Sequence, residues 1–255
     1  MIVAVHDEYT RRQYLQACLG APGVGAFLAC RLQRYAHAPL AGYRFFTCER
    51  GGTAALMVCG TTAYATVGFH ADELSSLLCF SGVHRLFAQE RFSPLPDFAA
   101  GEPLALMRAQ APGAGKPLPD GVTIEEQPAL LAAARLALQG QEEADEQAVE
   151  NLYSELCTGR THGDSLTVGV AQHGRLAAVA LAPALWQYQA AISGVFTLPS
   201  RRGLGLGSIA VSALTQAIAQ RGHQAVLWCE PGTVPFYEAN DYIQIGEIYQ
   251  FIQKG

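Results

Sequence analysis

The apolar and polar positions of this chain follow two rhythms, and the switches between them mark its elements. The clearest run begins at Ser165. "SLTVGVAQHGRLAAVALA" holds two largely apolar stretches around His173-Gly174, the pattern of a hairpin with a glycine turn. "AAISGVFTLP" predicts another strand. "SIAVSALTQAIAQRG" then changes to a spacing of three and four, which predicts a helix closed by Gly222. "QAVLWCE" reads as a strand, "TVPFYEAN" as a short helix, and "DYIQIGEIYQFIQ" as one or two last strands. Upstream, "GVTIEE" is a short strand. "PALLAAARLALQG" is a helix with Pro128 in its first turn and Gly140 at its end. "EADEQAVENLYSELCTGR" is a second helix, acidic at its start and basic at its end, which suits the helix dipole. The predicted order is β-α-α-β-β-β-α-β-α-β(β).

The N-terminal part repeats a piece of that order. "YRFFTCERGGTAALMVCGTTAYATVG" predicts two or three antiparallel strands turning at Arg50-Gly51-Gly52. "HADELSSLLCFSG" is a helix closed by Gly82, and "VHRLFAQ" is a strand. Hairpin, helix, strand is also the middle of the C-terminal order, which points to a degenerate internal duplication. The glycine-rich "GAPGVGAF" follows a helix-like segment and reads as a helix-ending loop. Proline and glycine are dense from residue 91 to 121, with little periodicity. The expected division is a domain at 1–92, a linker at 93–120 and a second domain at 121–255.

Composition narrows the function classes. Half of the 255 residues are apolar, enough for a real core, and the net charge is −5 with a pI near 5.8. No Lys/Arg block exists to replace counterions on a nucleic acid, so no nucleic-acid partner is expected. Asp7 and Glu8 arrive before any apolar signal-peptide core, and no apolar run reaches membrane length. Seven cysteines lack CxxC spacing and read as small buried hydrophobes of a reducing compartment. A cytoplasmic protein with no membrane partner is therefore expected. Histidines 70, 84, 162, 173 and 223 show no HxxxH or HxH spacing, so no metal site is expected.

The candidate chemistry lies in "SRRGLGLGS", residues 200–208. Three glycines alternate with leucines directly after two arginines, between a strand and a helix. A Rossmann fingerprint would sit early, with several parallel strands still to come; here about fifty residues remain. A purely structural turn needs fewer glycines. The Gly-Lys pair at 115–116 lacks P-loop spacing and precedes a proline. An anion site fits best: successive backbone amides in a glycine turn form a concavity, and a helix N-terminus adds its positive end.

The segment resembles motif A of the GNAT superfamily, the acyl-CoA-dependent N-acetyltransferases. Its [RQ]-x-x-G-x-[GA] pattern is matched by Arg202, Gly205 and Gly207. "EPGTVPFYEANDY" is similar to the family's motif B around Phe236-Tyr237-Glu238, with Glu230 in place of the usual Asn and Asp241-Tyr242 in place of Gly-Phe. The resemblance covers roughly 121–255. It implies an α/β fold with a mixed, mostly antiparallel sheet flanked by helices, preceded by a smaller α/β domain. It implies acetyl-CoA as cofactor, with its pyrophosphate on Arg201, Arg202, Gly203, Leu204, Gly205, Leu206, Gly207 and Ser208. The pantetheine arm would pair with the backbone of Phe196 and Thr197.

The implied activity is acetyl transfer to a primary amine, small molecule or peptide, by direct attack in a ternary complex. Tyr237 is the candidate general acid, since a hydroxyl of pKa about 10 can protonate a thiolate whose thiol titrates near about 8.5. The expected strand carries no Glu, so Glu230 is the candidate base, with Glu155 a weaker one. Cys229 is expected to pack inside, because Glu230 beside it would raise its pKa. A homodimer is compatible with the sequence. The rival reading is a non-catalytic acyl-CoA-binding sensor or scaffold.

Overall fold

The computed structural model describes residues 1–36, 42–48, 54–111, 115, 117–139 and 145–254. The turn expected at Arg50-Gly51-Gly52, the stretch around Lys116 and the helix end at Gly140 lie outside them. In chain order the described elements are β1 (Ile2–Ala4), α1 (Glu8–Leu19), α2 (Val24–Tyr35), β2 (Tyr43–Cys48), β3 (Ala55–Cys59), β4 (Thr62–Ala65), α3 (Ala71–Phe80), β5 (Arg85–Ala88), β6 (Phe98–Ala100) and β7 (Leu104–Ala109). They continue with β8 (Val122–Glu125), α4 (Leu130–Leu138), α5 (Glu146–His162), β9 (Leu166–Gln172), β10 (Arg175–Trp186), β11 (Gln189–Thr197), α6 (Leu206–Gln220), β12 (Gln224–Cys229), α7 (Val234–Glu238) and β13 (Tyr242–Gln253). No helix among the described residues is long and apolar enough to cross a membrane.

The chain forms two compact units. The first holds Met1–Leu106, Trp228–Gly232 and Ile245–Gly255; the second holds Met107–Leu227 and Thr233–Gln244. This differs from the division read off the sequence in two ways. Residues 93–120 are not linker throughout, because β6 and β7 lie there and Phe98, Leu104, Leu106 and Met107 are buried. The prolines and glycines punctuate strands instead of separating domains. And the C-terminal residues are one strand whose later part belongs to the first unit.

In the first unit the strands run β1-β2-β3-β4-β5 and then the end of β13. β1 to β4 are antiparallel neighbours, and β4 and β5 are parallel, joined through α3. β13 closes this sheet by pairing Tyr249 with Ala88 and Phe251 with Leu86, and β6 pairs with its outer half. Phe251 is 2% exposed and sits in one core cluster with Leu56, Leu74, Leu78 and Leu86. Of the glycine-rich stretch at 20–27, residues 20–23 are the turn between α1 and α2 and the rest open α2. Gly25 lies inside α2 because a Cβ there would stand 1.9 Å from the Cys18 carbonyl oxygen.

The second unit is built around β10. It pairs antiparallel with β9 and β11, β8 flanks β9, and β12 lies parallel to β11. Each residue from Ala177 to Leu185 on β10 is buried. Since neighbouring side chains point to opposite faces, both faces of this strand are covered. Val179 and Leu181 pack with α4 and α5, and α6 packs along β9, β10 and β11. The ends of these elements are locally encoded. The β9–β10 turn takes positive φ at His173 (50°) and Gly174 (74°), as a tight hairpin requires. Asp145 caps α5 by accepting from the Ala148 amide at 2.8 Å, and Gly163 ends it in the left-handed region. Pro128 stands just before α4, whose cap is Ala129, so the helix starts two residues later than the sequence suggested.

Because β13 supplies a buried ring to the first unit from the far end of the chain, Phe251→Ala is expected to cost about 3–5 kcal/mol of that unit's stability. Denaturant unfolding followed by tryptophan and tyrosine fluorescence checks it.

Candidate functional site

The site starts from a mismatch between two strands. β11 and β12 are paired only over Gln189–Ala191 and Gln224–Val226. β11 runs on to Thr197, held on its other edge by β10, through Leu181↔Ser193, Val179↔Phe196 and Ala178↔Thr197. Between the first two of these pairs β11 carries one extra residue, a bulge at Gly194-Val195. Gly194 has φ 60°, and a Cβ there would stand 2.7 Å from Leu181 Cδ1. A bulge bends and twists its strand. Beyond it, the edge of β11 turned toward β12 has no pairing recorded among the described residues.

The chain then turns into α6. A short 3₁₀ turn at Pro199–Arg201 leads to Gly203 (φ 79°) and Gly205 (φ 75°), the latter the N-cap of α6. Both glycines are in the left-handed region, where a side chain is costly. A Cβ on either would meet nothing within 4 Å, so the backbone there is bare to the cleft. Gly207 is required for a different reason: a Cβ would approach Thr197 Oγ1 to 2.7 Å, and Phe236 Cζ to 3.6 Å. Its absence lets α6 begin against the end of β11. No side chain caps α6, so the amides of Leu206, Gly207 and Ser208 in its first turn lack a side-chain acceptor.

These elements enclose a cleft of about 540 Å³. Phe196, Thr197, Arg201, Arg202, Gly203, Gly205, Leu206, Gly207, Ser208 and Tyr237, all singled out from the sequence, line it together. Leu204 does not; its side chain is 48% exposed. Glu230 does not either: it is exposed and belongs to residues 228–232 of the other unit. Glu155 is half-buried on α5 and also absent from the lining. Cys229 is buried. Among the described residues that line the cleft there is no Asp, Glu or His.

Arg202 folds back over the strand end. Its Nε donates to the Thr197 carbonyl at 3.3 Å, and its guanidinium carbon lies 5.6 Å from the Phe196 ring centre. One of five donors is so used, and four N–H groups remain for an anion. The aromatic floor is Phe236 and Tyr237, in edge contact at 5.0 Å, with Tyr237 in turn 5.8 Å from Tyr242. Tyr242 is buried; desolvation pushes its hydroxyl well above the ordinary range, and the 2.6 Å bond to Thr215 Oγ1 partly offsets this. It stays neutral and ties β13's first residue to α6. Asp241, where the family pattern has Gly, adopts φ 63°, so the backbone demand for that glycine is still present.

Three residues escaped the sequence reading. Val195 and Thr233 line the cleft, beside Phe236 of the motif B match. Asn240, 7% exposed, donates to Phe236 O at 2.6 Å and to Ser208 Oγ at 3.2 Å, joining α7 to the first turn of α6. Its place in motif B, two residues before Tyr242, was visible, but nothing local signalled its reach across 32 residues to Ser208.

The first unit has the same strand-helix-strand order without this cleft. β4 and β5 pair over all four residues of each. In the connection to α3 the Gly68 amide donates to Glu90 Oε2 at 2.9 Å, so a protein carboxylate already holds it.

Residues 167–242 match the model of the FR47-like protein family. No curated protein matches the chain. Among solved structures, a tandem GNAT protein from the clavulanic acid biosynthesis pathway is 13% identical and superposes with a TM-score of 0.67, covering 98% of this chain and 97% of its own. A GCN5-related N-acetyltransferase from Kribbella flavida is 18% identical, with a TM-score of 0.61 and coverage of 87% and 95%. One from Sphaerobacter thermophilus is 14% identical, with a TM-score of 0.61 and coverage of 100% and 96%.

The Gly207 contact gives a direct test of the cleft. Gly207→Ala is expected to destabilise the second unit by about 1–3 kcal/mol through overpacking against Thr197. Adding Thr197→Ala should recover most of that loss, a coupling that a double-mutant cycle of unfolding free energies reads.

The chain therefore has the fold of GNAT proteins over nearly its whole length and carries an FR47-like match at residues 167–242.

Proposed function

We propose that the second unit is an acetyl-CoA-dependent N-acetyltransferase acting on a primary amine of a small molecule or peptide. The single observation that carries this reading is the junction of β11 and α6. A strand edge left without a partner, two left-handed glycines and an uncapped helix N-terminus meet in one cleft with Arg201 and Arg202 at its rim.

The cleft suits coenzyme A part by part. The amides of Leu206, Gly207 and Ser208 would hold the pyrophosphate, with the helix dipole and both arginines adding charge. The backbone of β11 at Phe196 and Thr197 would pair with the amide groups of the pantetheine arm as an added strand does. Acetyl-CoA brings a thioester whose acyl carbon is open to an amine nucleophile. A main-chain amide at Phe196 would stabilise negative charge developing on the carbonyl oxygen. The amine nitrogen would bond to the acyl carbon as the carbon–sulfur bond breaks, the Tyr237 hydroxyl would give its proton to the departing sulfur, and the proton shed by the nitrogen as it becomes an amide would pass through water to restore the Tyr237 hydroxyl. Among the described residues no carboxylate or imidazole lines the cleft to take the amine's proton. An amine that reaches the cleft already neutral needs no protein base for its first proton, so amines of low pKa suit this lining best.

That same composition favours a second reading, acyl-CoA binding without turnover. Thiol release from acetyl-CoA across an amine panel separates the two. Turnover on any amine supports the transferase, and binding with no turnover on any of them supports the sensor. Where turnover is found, Tyr237→Phe is expected to lower kcat by about a hundredfold or more with little change in the KM for acetyl-CoA. An unchanged kcat would remove Tyr237 as the acid.

A further inference from the structure

The anion-facing turn carries one hydroxyl whose direction is set by a neighbour. Asn240 is almost wholly buried, and its Nδ2 makes two bonds, 2.6 Å to Phe236 O and 3.2 Å to Ser208 Oγ. A carbonyl oxygen only accepts, so the short contact with Phe236 O fixes which end of the amide carries nitrogen. One amide hydrogen goes there. The other enters a lone pair of Ser208 Oγ. Ser208 therefore accepts from Asn240, and its own proton points elsewhere.

Where it can point is limited by position. Ser208 is the third residue of α6, in the turn whose amides lack a side-chain cap, and it lines the cleft. A serine hydroxyl left alone samples three staggered rotamers and often bonds back to its own helix. With one lone pair held, the rotamer is chosen before any ligand arrives.

We propose that Asn240 is a positioning residue that presents the Ser208 hydroxyl as an O–H donor to the anion seated at the first turn of α6. The inference rests on the reading above, that this anion is the pyrophosphate of coenzyme A. It adds a side-chain donor to the backbone amides and connects the cradle to α7, the helix that carries Tyr237. A charge-assisted hydrogen bond set in advance saves the entropy of ordering the hydroxyl on binding.

The test is calorimetric titration of the full chain with coenzyme A and with pantetheine, which lacks the pyrophosphate. The variants are Ser208→Ala, Ser208→Thr, Asn240→Ala and the Ser208→Ala/Asn240→Ala pair. Ser208→Ala and Asn240→Ala are each expected to weaken coenzyme A binding about tenfold, the size of a hydrogen bond to a charged group. The double variant should bind no worse than the weaker single, Ser208→Thr should bind as the wild type does, and pantetheine affinity should not change. Losses that multiply in the double variant, or equal losses for pantetheine, would overturn the assignment. Should Asn240→Ala fail to fold, Ser208→Ala decides by itself, since undiminished affinity there means the hydroxyl donates to no anion. A wild-type chain that binds no coenzyme A overturns the functional reading; one that binds it while Ser208→Ala is unaffected overturns this inference alone.

Discussion

The cleft depends on β11 parting from β12 after three paired residues. A parallel pair that stayed in register would satisfy its own backbone groups and leave nothing for a ligand. The parting has a local cause. Gly194 permits a bulge that packs against Leu181, and β10 holds the bulged strand on its far side, so the divergence falls entirely on the β12 side. Gly207 then lets α6 start against Thr197. Two glycines, one absorbing a backbone conformation and one a close approach, thus convert a sheet edge and a helix end into one continuous row of main-chain donors and acceptors.

The first unit shows what the same order does without them. Its parallel strands stay paired over four residues, and its strand-to-helix junction has one glycine, Gly68, where the second unit has Gly203, Gly205 and Gly207. Glu90 takes the Gly68 amide, and α3 opens with Asp72 and Glu73, whose charge suits its positive end. An added anion would meet carboxylates there and arginines in the second unit. The repeat is one of topology; the turn with Arg201, Arg202 and its three glycines is in the second unit.

Much of this was legible in the sequence because it is local. A glycine turn, a capping Asp, a hairpin at His173-Gly174 and the period of α6 each depend on residues a few positions apart. Most of the cleft lining came from the same letters, Arg202 to Ser208 without Leu204. What was not legible is non-local. The bulge at Gly194 depends on Leu181 across the strand pair. Asn240 acts on Ser208 from another helix. β13 completes the sheet of the first unit, although its sequence reads as the plain end of the second. The stretch at 93–120 read as linker because its prolines are frequent, while the burial of Phe98 and Met107 can be seen only once their partners are in place. Glu230 read as the candidate base because the expected strand carries no Glu, and it is not among the residues that line the cleft.

Hydrogen exchange at single-residue resolution tests the centre of this picture, an anion held on bare backbone. With coenzyme A added, the amides of Leu206, Gly207 and Ser208 should exchange markedly more slowly, while Gly68 in the first unit should not change. Coenzyme A binding that leaves those three amides exchanging at their free rate would contradict it.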